Sequence, residues 1–159
     1  MPGTVNILIV GVGGQGVLRT SQVLAEVLVR RGHDVKQSEV HGMSQRGGSV
    51  VSEVRYGAQV HSPLAPRAAA DFILALDPTE ARRAAPRLRP GAGRLIDVPD
   101  DLMARIPDPR GRNMAALGRL SHCLDDDPDD WHQAIRHRMP PKSIDANIAA
   151  FDAGRAHDP

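Results

Sequence analysis

The spacing of apolar positions changes several times along the chain, and each spacing predicts an element. Residues 6–10 (NILIV) are a short, nearly continuous apolar run, as in a strand covered on both faces within a parallel sheet. From Val17 the spacing turns helical. Val17, Leu18, Ser21, Leu24, Ala25 and Leu28 share one face, Arg19, Gln22, Glu26 and Arg30 lie mostly elsewhere, and Gly32 supplies the stop. Residues 34–40 read as a second strand. Residues 49–56 alternate, with Val50, Ser52, Val54 and Tyr56 on one face and Val51, Glu53 and Arg55 on a wetter one. Gly57 allows a turn, and residues 59–62 are expected to return as the partner strand of an added hairpin.

Residues 71–76 (DFILAL) predict another buried strand, followed by a short helix capped by Thr79 and ending near Pro86. A glycine turn at 91–93 leads into a strand over 94–98 (RLIDV), and 99–112 is irregular. The last third is helical. Asn113 is expected to cap a helix carrying Met114, Leu117, Leu120 and Leu124. After an acidic loop at 125–130, Trp131, Ile135 and Met139 share one helix face up to Pro140 and Pro141. Ser143 is expected to cap a final helix through Ile144, Ile148 and Phe151, with Gly154 as its stop. Alternating strands and helices in the first half predict an α/β fold with a mainly parallel sheet, an added hairpin and a helical C-terminal segment. Residues 1–159 suit a single domain.

Composition narrows the function only a little. Net charge is +1, so no global field draws the chain to nucleic acid or membrane. Aromatics, at 3%, are too sparse for a base-stacking platform. No apolar run approaches the roughly 20 residues that cross a bilayer. No basic segment precedes the first apolar stretch, so a cytoplasmic location is expected. Cys123 is the single cysteine and is expected as a small buried helix residue. Alone it makes no internal disulfide and cannot hold an iron–sulfur cluster, which takes about four cysteine ligands.

Two polar, glycine-rich segments are the candidate chemistry. Gly11, Gly13, Gly14 and Gly16, with Gln15 between them, fit G-x-G-x-x-G between a predicted strand and a predicted helix. Glycines there permit a tight turn, and a helix start presents free N–H groups suited to an anion. A dinucleotide reading needs an acid at the end of the next strand, for which Glu39 is the candidate. The alternative is a turn that packs helix on strand without a ligand. The second segment is His41, Gly42, Met43, Ser44, Gln45, Arg46, Gly47 and Gly48. Polar groups between permissive glycines suggest a surface fitted against a partner chain, or an anion held by the Arg46 guanidinium. His41 has no nucleophile or carboxylate placed with it by sequence, so it is not read as a general base, and no catalytic residue is expected.

NILIVGVGGQGV, SEVHGMSQRGGSVVSEVRYG, VHSPL and ADFILALDPTEA resemble, in order, the γ-type subunits of the 2-oxoacid:ferredoxin oxidoreductases, most of all those of the indolepyruvate type. NMAALGRLS and MPPKSIDANIAAFDAG resemble that family's ending. The resemblance implies a Rossmann-like domain and a subunit of an enzyme that converts a 2-oxoacid and coenzyme A to an acyl-CoA and carbon dioxide. Thiamine diphosphate, magnesium and iron–sulfur clusters are then expected on the partner subunit and none on this chain, which also lacks a thiamine-type G-D-G…N pattern. It implies packing against that catalytic subunit, ferredoxin only as an indirect partner, no activity alone, and no nucleic acid or membrane partner. The two glycine-rich loops would be the surfaces involved. The family usually carries a further strand–helix–strand stretch where this chain has only residues 99–112, so the domain is expected to be shortened there. A free-standing dinucleotide-binding protein and a non-catalytic scaffold are the alternatives.

Overall fold

A computed structural model of the chain describes residues 3–42 and 47–157. The apolar run becomes the central strand β1 (Val5–Val12), which is buried except at its two ends. Its neighbours are β2 (Asp34–His41), β3 (Ser49–Gly57), β4 (Phe72–Ala75) and β5 (Arg94–Ile96), in the order β2-β3-β1-β4-β5. β4 runs parallel to β1 and β5 parallel to β4, whereas β3 is antiparallel to both β1 and β2. Four strands therefore point the same way. Their carboxyl ends, with the amino end of β3, form one rim of the sheet.

The added hairpin is β2–β3, joined through residues 42–48, with Asp34 opposite Gly57 and His41 opposite Val50. The expected return strand at 59–62 does not form. Pro63 and Pro66 follow it, and each lacks an N–H, so a short pairing there could not be lengthened. The segment is instead tied down by side chains. Arg55 donates to the carbonyls of Ser62 and Leu64, and the Asp34 carboxylate accepts from Val60 N–H. The wetter face of β3 is thereby covered, and Glu53 is buried between Arg87 and the Ala65 N–H.

Helix α1 (Val17–Arg30) buries Val17, Thr20, Ser21, Val23, Leu24, Val27 and Leu28 against one face of the sheet. Leu18, expected inward, is 45% exposed, and Val23 and Val27 complete the inward stripe in its place. Helices α4 (Arg112–Cys123), α5 (Pro128–Arg138) and α6 (Ile144–Ala156) share that layer, with Trp131 stacked on Phe151. The short α2 (Pro78–Ala84) covers Leu8, Val10, Ile73 and Ala75 on the opposite face.

Several helix ends differ from expectation. Asp77, not Thr79, caps α2: its carboxylate accepts from the N–H groups of Thr79 and Glu80, and Pro78 occupies the first helical position, where its missing N–H costs nothing. Asn113 lies inside α4, which starts one residue earlier on a 3-10 turn at Pro109–Gly111. Ser143 stands at the start of α6, but its hydroxyl donates back to the Pro140 carbonyl instead of capping. The irregular stretch holds a one-turn helix α3 (Asp100–Met103), with Leu102 and Ile106 buried. Gly154 does not stop α6, which continues to Ala156. It is a crossing point: a β-carbon there would run into the Ala115 backbone of α4, and one on Gly118 would run into Phe151 and Arg155 of α6. Two helices this close need glycine on both sides.

Candidate functional site: the glycine loop and its rim

The loop after β1 lies at the carboxyl rim of the sheet, and most of it is spent on holding itself in place. Gln15 spans the gap between the central strands. Its side-chain oxygen accepts from Val12 N–H at 2.8 Å, and its amide donates to the Leu76 carbonyl at 3.1 Å. These backbone groups belong to the ends of β1 and β4, so one side chain closes the crevice between them. Gly11 makes room for it, since a β-carbon there would sit 2.8 Å from the Gln15 oxygen and 2.9 Å from Val17. Gly16 has φ 79°, and a β-carbon would meet the Asn113 amide nitrogen at 2.7 Å. That amide in turn donates to the Gly16 carbonyl at 3.5 Å, joining α4 to the start of α1.

The two sequence motifs meet. Gly13 N–H donates to the Gly48 carbonyl at 2.9 Å, and a β-carbon on Gly13 would stand 3.4 Å from the Gly47 nitrogen. Gly42 N–H donates to the Ser49 carbonyl at 2.6 Å, closing the base of the 42–48 connection. Ser49 then donates to the buried Glu80 carboxylate at 2.6 Å, which fixes this base to α2. Gly14 is different. It is exposed, has φ 91°, and nothing lies within 4 Å of where a side chain would begin. His41 and Gly47 are exposed too, and the His41 side chain meets Glu39 at 3.3 Å. Met43, Ser44, Gln45 and Arg46 lie outside the described residues.

Concavities surround this apex. One of 580 Å³ runs between α1 and β2 and is lined by Gly13, Gly14, Leu18, Glu39 and His41 among others. A second, of 490 Å³, is lined by Gly42, Gly47, Gly48, Asp77, Glu80 and Arg83 among others. Two more, of 370 and 470 Å³, lie on the α4 side and share Gly16, Arg110 and Asn113. Sequence reasoning did not find this α4-side groove, because Arg19, Arg110, Arg112 and Lys142 carry no motif and meet only in the fold.

The dinucleotide arrangement is not reproduced. There the acid ends the strand beside the glycine strand, but here β3 stands between β1 and β2. Glu39 is therefore two strand spacings away, roughly 9–10 Å rather than 5 Å. Cys123 is partly buried near the end of α4. Among the described residues, no group of three or more His, Cys, Asp or Glu side chains is placed to hold a metal ion. Among them too, no helix is long and apolar enough to cross a membrane.

Comparison with known proteins gives one consistent result. The family model described as pyruvate ferredoxin/flavodoxin oxidoreductase matches residues 6–157. Among curated proteins, the indolepyruvate oxidoreductase subunit IorB of Thermococcus kodakarensis is 31% identical over 94% of this chain and 93% of its own length. Its alignment runs over 188 residues, so the relative carries segments that the 159-residue chain lacks. The protein of the same name from Methanothermobacter thermautotrophicus is 40% identical over 65% of this chain, a match that spans about half of that relative, 54%. Among solved structures, the γ subunit of a keto/oxoacid ferredoxin oxidoreductase from Geobacter sulfurreducens superposes with a TM-score of 0.75 at 21% identity, covering 94% of this chain and 95% of that one. The 2-oxoglutarate:ferredoxin oxidoreductase of Magnetococcus marinus gives 0.81 at 18% identity, with 98% of this chain matching 31% of that one. At these identities the structural matches speak to the fold.

Proposed function

This chain belongs to the pyruvate ferredoxin/flavodoxin oxidoreductase family, and from that membership we propose that it is a small subunit of a thiamine-diphosphate-dependent 2-oxoacid:ferredoxin oxidoreductase of the indolepyruvate type. It carries no cofactor and has no activity alone. Its work is to pack against the catalytic subunit in the cytoplasm, while that subunit holds thiamine diphosphate, magnesium and the iron–sulfur clusters. Ferredoxin is met only through the assembly. The IorB relatives support the substrate type, and the donor set of the chain, with its single cysteine, does not fit a cluster. The chain is one domain, shortened over residues 99–112 relative to its family.

The observation that carries the reading is the meeting of the two glycine-rich segments. Gly13 and Gly48 are bonded backbone to backbone, so both loops present one continuous rim instead of two separate sites. Gly11, Gly16 and Gln15 are committed internally, and the exposed backbone at Gly13, Gly14, Gly42 and Gly47 admits a flat, close approach by another chain. His41 and Gly48 belong to the same surface, and Met43, Ser44, Gln45 and Arg46, outside the described residues, are included in the proposal on their sequence alone. Tagging the chain and purifying it anaerobically from its native cell tests this. A larger chain bearing thiamine diphosphate, with brown cluster absorbance, is the expected companion. A colourless chain that elutes alone or as a homo-oligomer would overturn the reading.

A further inference from the structure

The groove beside the glycine loop has a charge the proposed packing does not explain. It is bounded by the start of α1, the Pro109–Gly111 turn, the start of α4 and the turn between α5 and α6. Its two parts share Gly16, Arg110 and Asn113, and together they are lined by Arg19, Arg110, Arg112 and Lys142. The one carboxylate in the lining, Asp108, is already engaged by Arg110 through Nε at 3.1 Å and Nη2 at 2.7 Å. Arg19 donates to a backbone carbonyl, that of Arg138, at 2.9 Å. Among the described residues, no carboxylate lies within 4.0 Å of the charged groups of Arg19, Arg112 or Lys142. Elsewhere on the chain many of the cations are paired: Arg30, Arg31, Arg83, Arg87, Arg89, Arg119 and Arg138 all meet Asp or Glu. On a chain with net charge +1, this gathering of unspent positive charge is local.

Resting on the reading above, we infer that this groove receives an acidic segment of the catalytic partner, an Asp- or Glu-bearing loop or chain end. The groove is continuous with the proposed packing surface, because Gly14 and Gly16 line both it and the α1–β2 concavity. Its cations sit on several elements and suit an extended ligand with more than one carboxylate; a single small anion would meet only some of them. No aromatic ring lines it, so it offers a nucleobase nothing to stack on. Asn113, Ser143 and Asn147 add polar groups beside the cations, while Pro109, Met139 and Ala146 leave apolar surface for the stems of an acidic side chain. Such a contact steers association and fixes register, and it weakens as salt screens it.

The test uses the complex of full-length chain and catalytic partner, with affinity measured at low and at high salt. The Arg110 side chain is 91% exposed and Lys142 lies at the surface, so the double variant R110E/K142E leaves the core untouched. It should weaken the complex about tenfold or more at low salt and flatten its salt dependence, because reversed charges at an interface act on association. R82E, an exposed reversal on α2, should change neither. A complex that binds R110E/K142E as tightly as wild type, with unchanged salt dependence, would overturn the acidic-segment inference and leave the subunit reading standing. A rise in the melting temperature of the isolated chain with inorganic pyrophosphate, lost in R110E/K142E while the complex is unaffected, would replace the segment with a small phosphate ligand. No complex with wild type under any salt would remove both.

Discussion

Glycine is used at the β1 loop and at the α4–α6 crossing, and the two uses differ in what lies opposite the missing side chain. At the crossing it is backbone: Gly118 faces Phe151 and Arg155, and Gly154 faces Ala115. At the loop it is mostly the tip of a side chain, Gln15 against Gly11 and Asn113 against Gly16, and at Gly14 it is open space. A backbone cannot swing aside, whereas an amide end can. The crossing is therefore the rigid use of glycine, and the loop is an adjustable one with a single free apex.

That contrast fixes the order of the expected losses. Gly154→Ala should be the most damaging, at about 3 kcal/mol or more, since α4 and α6 must separate to admit one methyl group. Urea unfolding should show it directly, and a loss no larger than that of an exposed helix glycine, about 1 kcal/mol, would mean that the helices are not this close. Gln15→Ala should cost about 2 kcal/mol, because it leaves the Val12 N–H and the Leu76 carbonyl without their partner. Gln15→Glu separates the two bonds, as it keeps the acceptor for Val12 but loses the donor to Leu76. Gly14→Ala should cost only about 1 kcal/mol, the strain of a positive φ with no steric clash, yet it should weaken the complex with the catalytic subunit.

The smallest effect should come from a helix contact made by side-chain ends alone. Glu26 of α1 accepts from His137 at 2.9 Å and Arg138 at 2.5 Å on α5. Burial pushes its carboxyl up, but the hydrogen bonds from His137 and Arg138 outweigh burial and hold it below its ordinary range. A depressed carboxyl contributes stability above its unfolded value, about 4.5, and loses it as pH falls through the lower folded value. With partly exposed partners the effect should stay under about 1 kcal/mol. Glu26→Gln should thus lower the melting temperature slightly at neutral pH and hardly at all at pH about 3. An equal loss at both would show that shape, not charge, holds α5 to α1.

The sequence carried the alternating strands and helices well, because each rests on local spacing, and the first glycine loop falls between β1 and α1 as its pattern predicts. What it concealed depends on distant neighbours. Nothing local separates Gly154 in mid-helix from a helix stop; only Ala115 of another helix does. Asn113 reads as a cap by residue type but serves Gly16, which is 97 positions earlier. The 59–62 strand was displaced by side chains of β2 and β3 that hold the segment irregular. The cationic groove was unreadable because Arg19, Arg110 and Lys142 are far apart in the chain and join only where α1, α4 and the α5–α6 turn converge.

The most direct test of the central claim, that the joined rim of the two glycine-rich loops faces the catalytic subunit, is hydrogen exchange of the chain alone and in the complex. Backbone amides around Gly13, Gly14, Gly47 and Gly48 should slow on assembly, while those at the α4–α6 crossing, slow already, should not change. Protection confined to other surfaces, with the rim exchanging equally fast in both states, would contradict it.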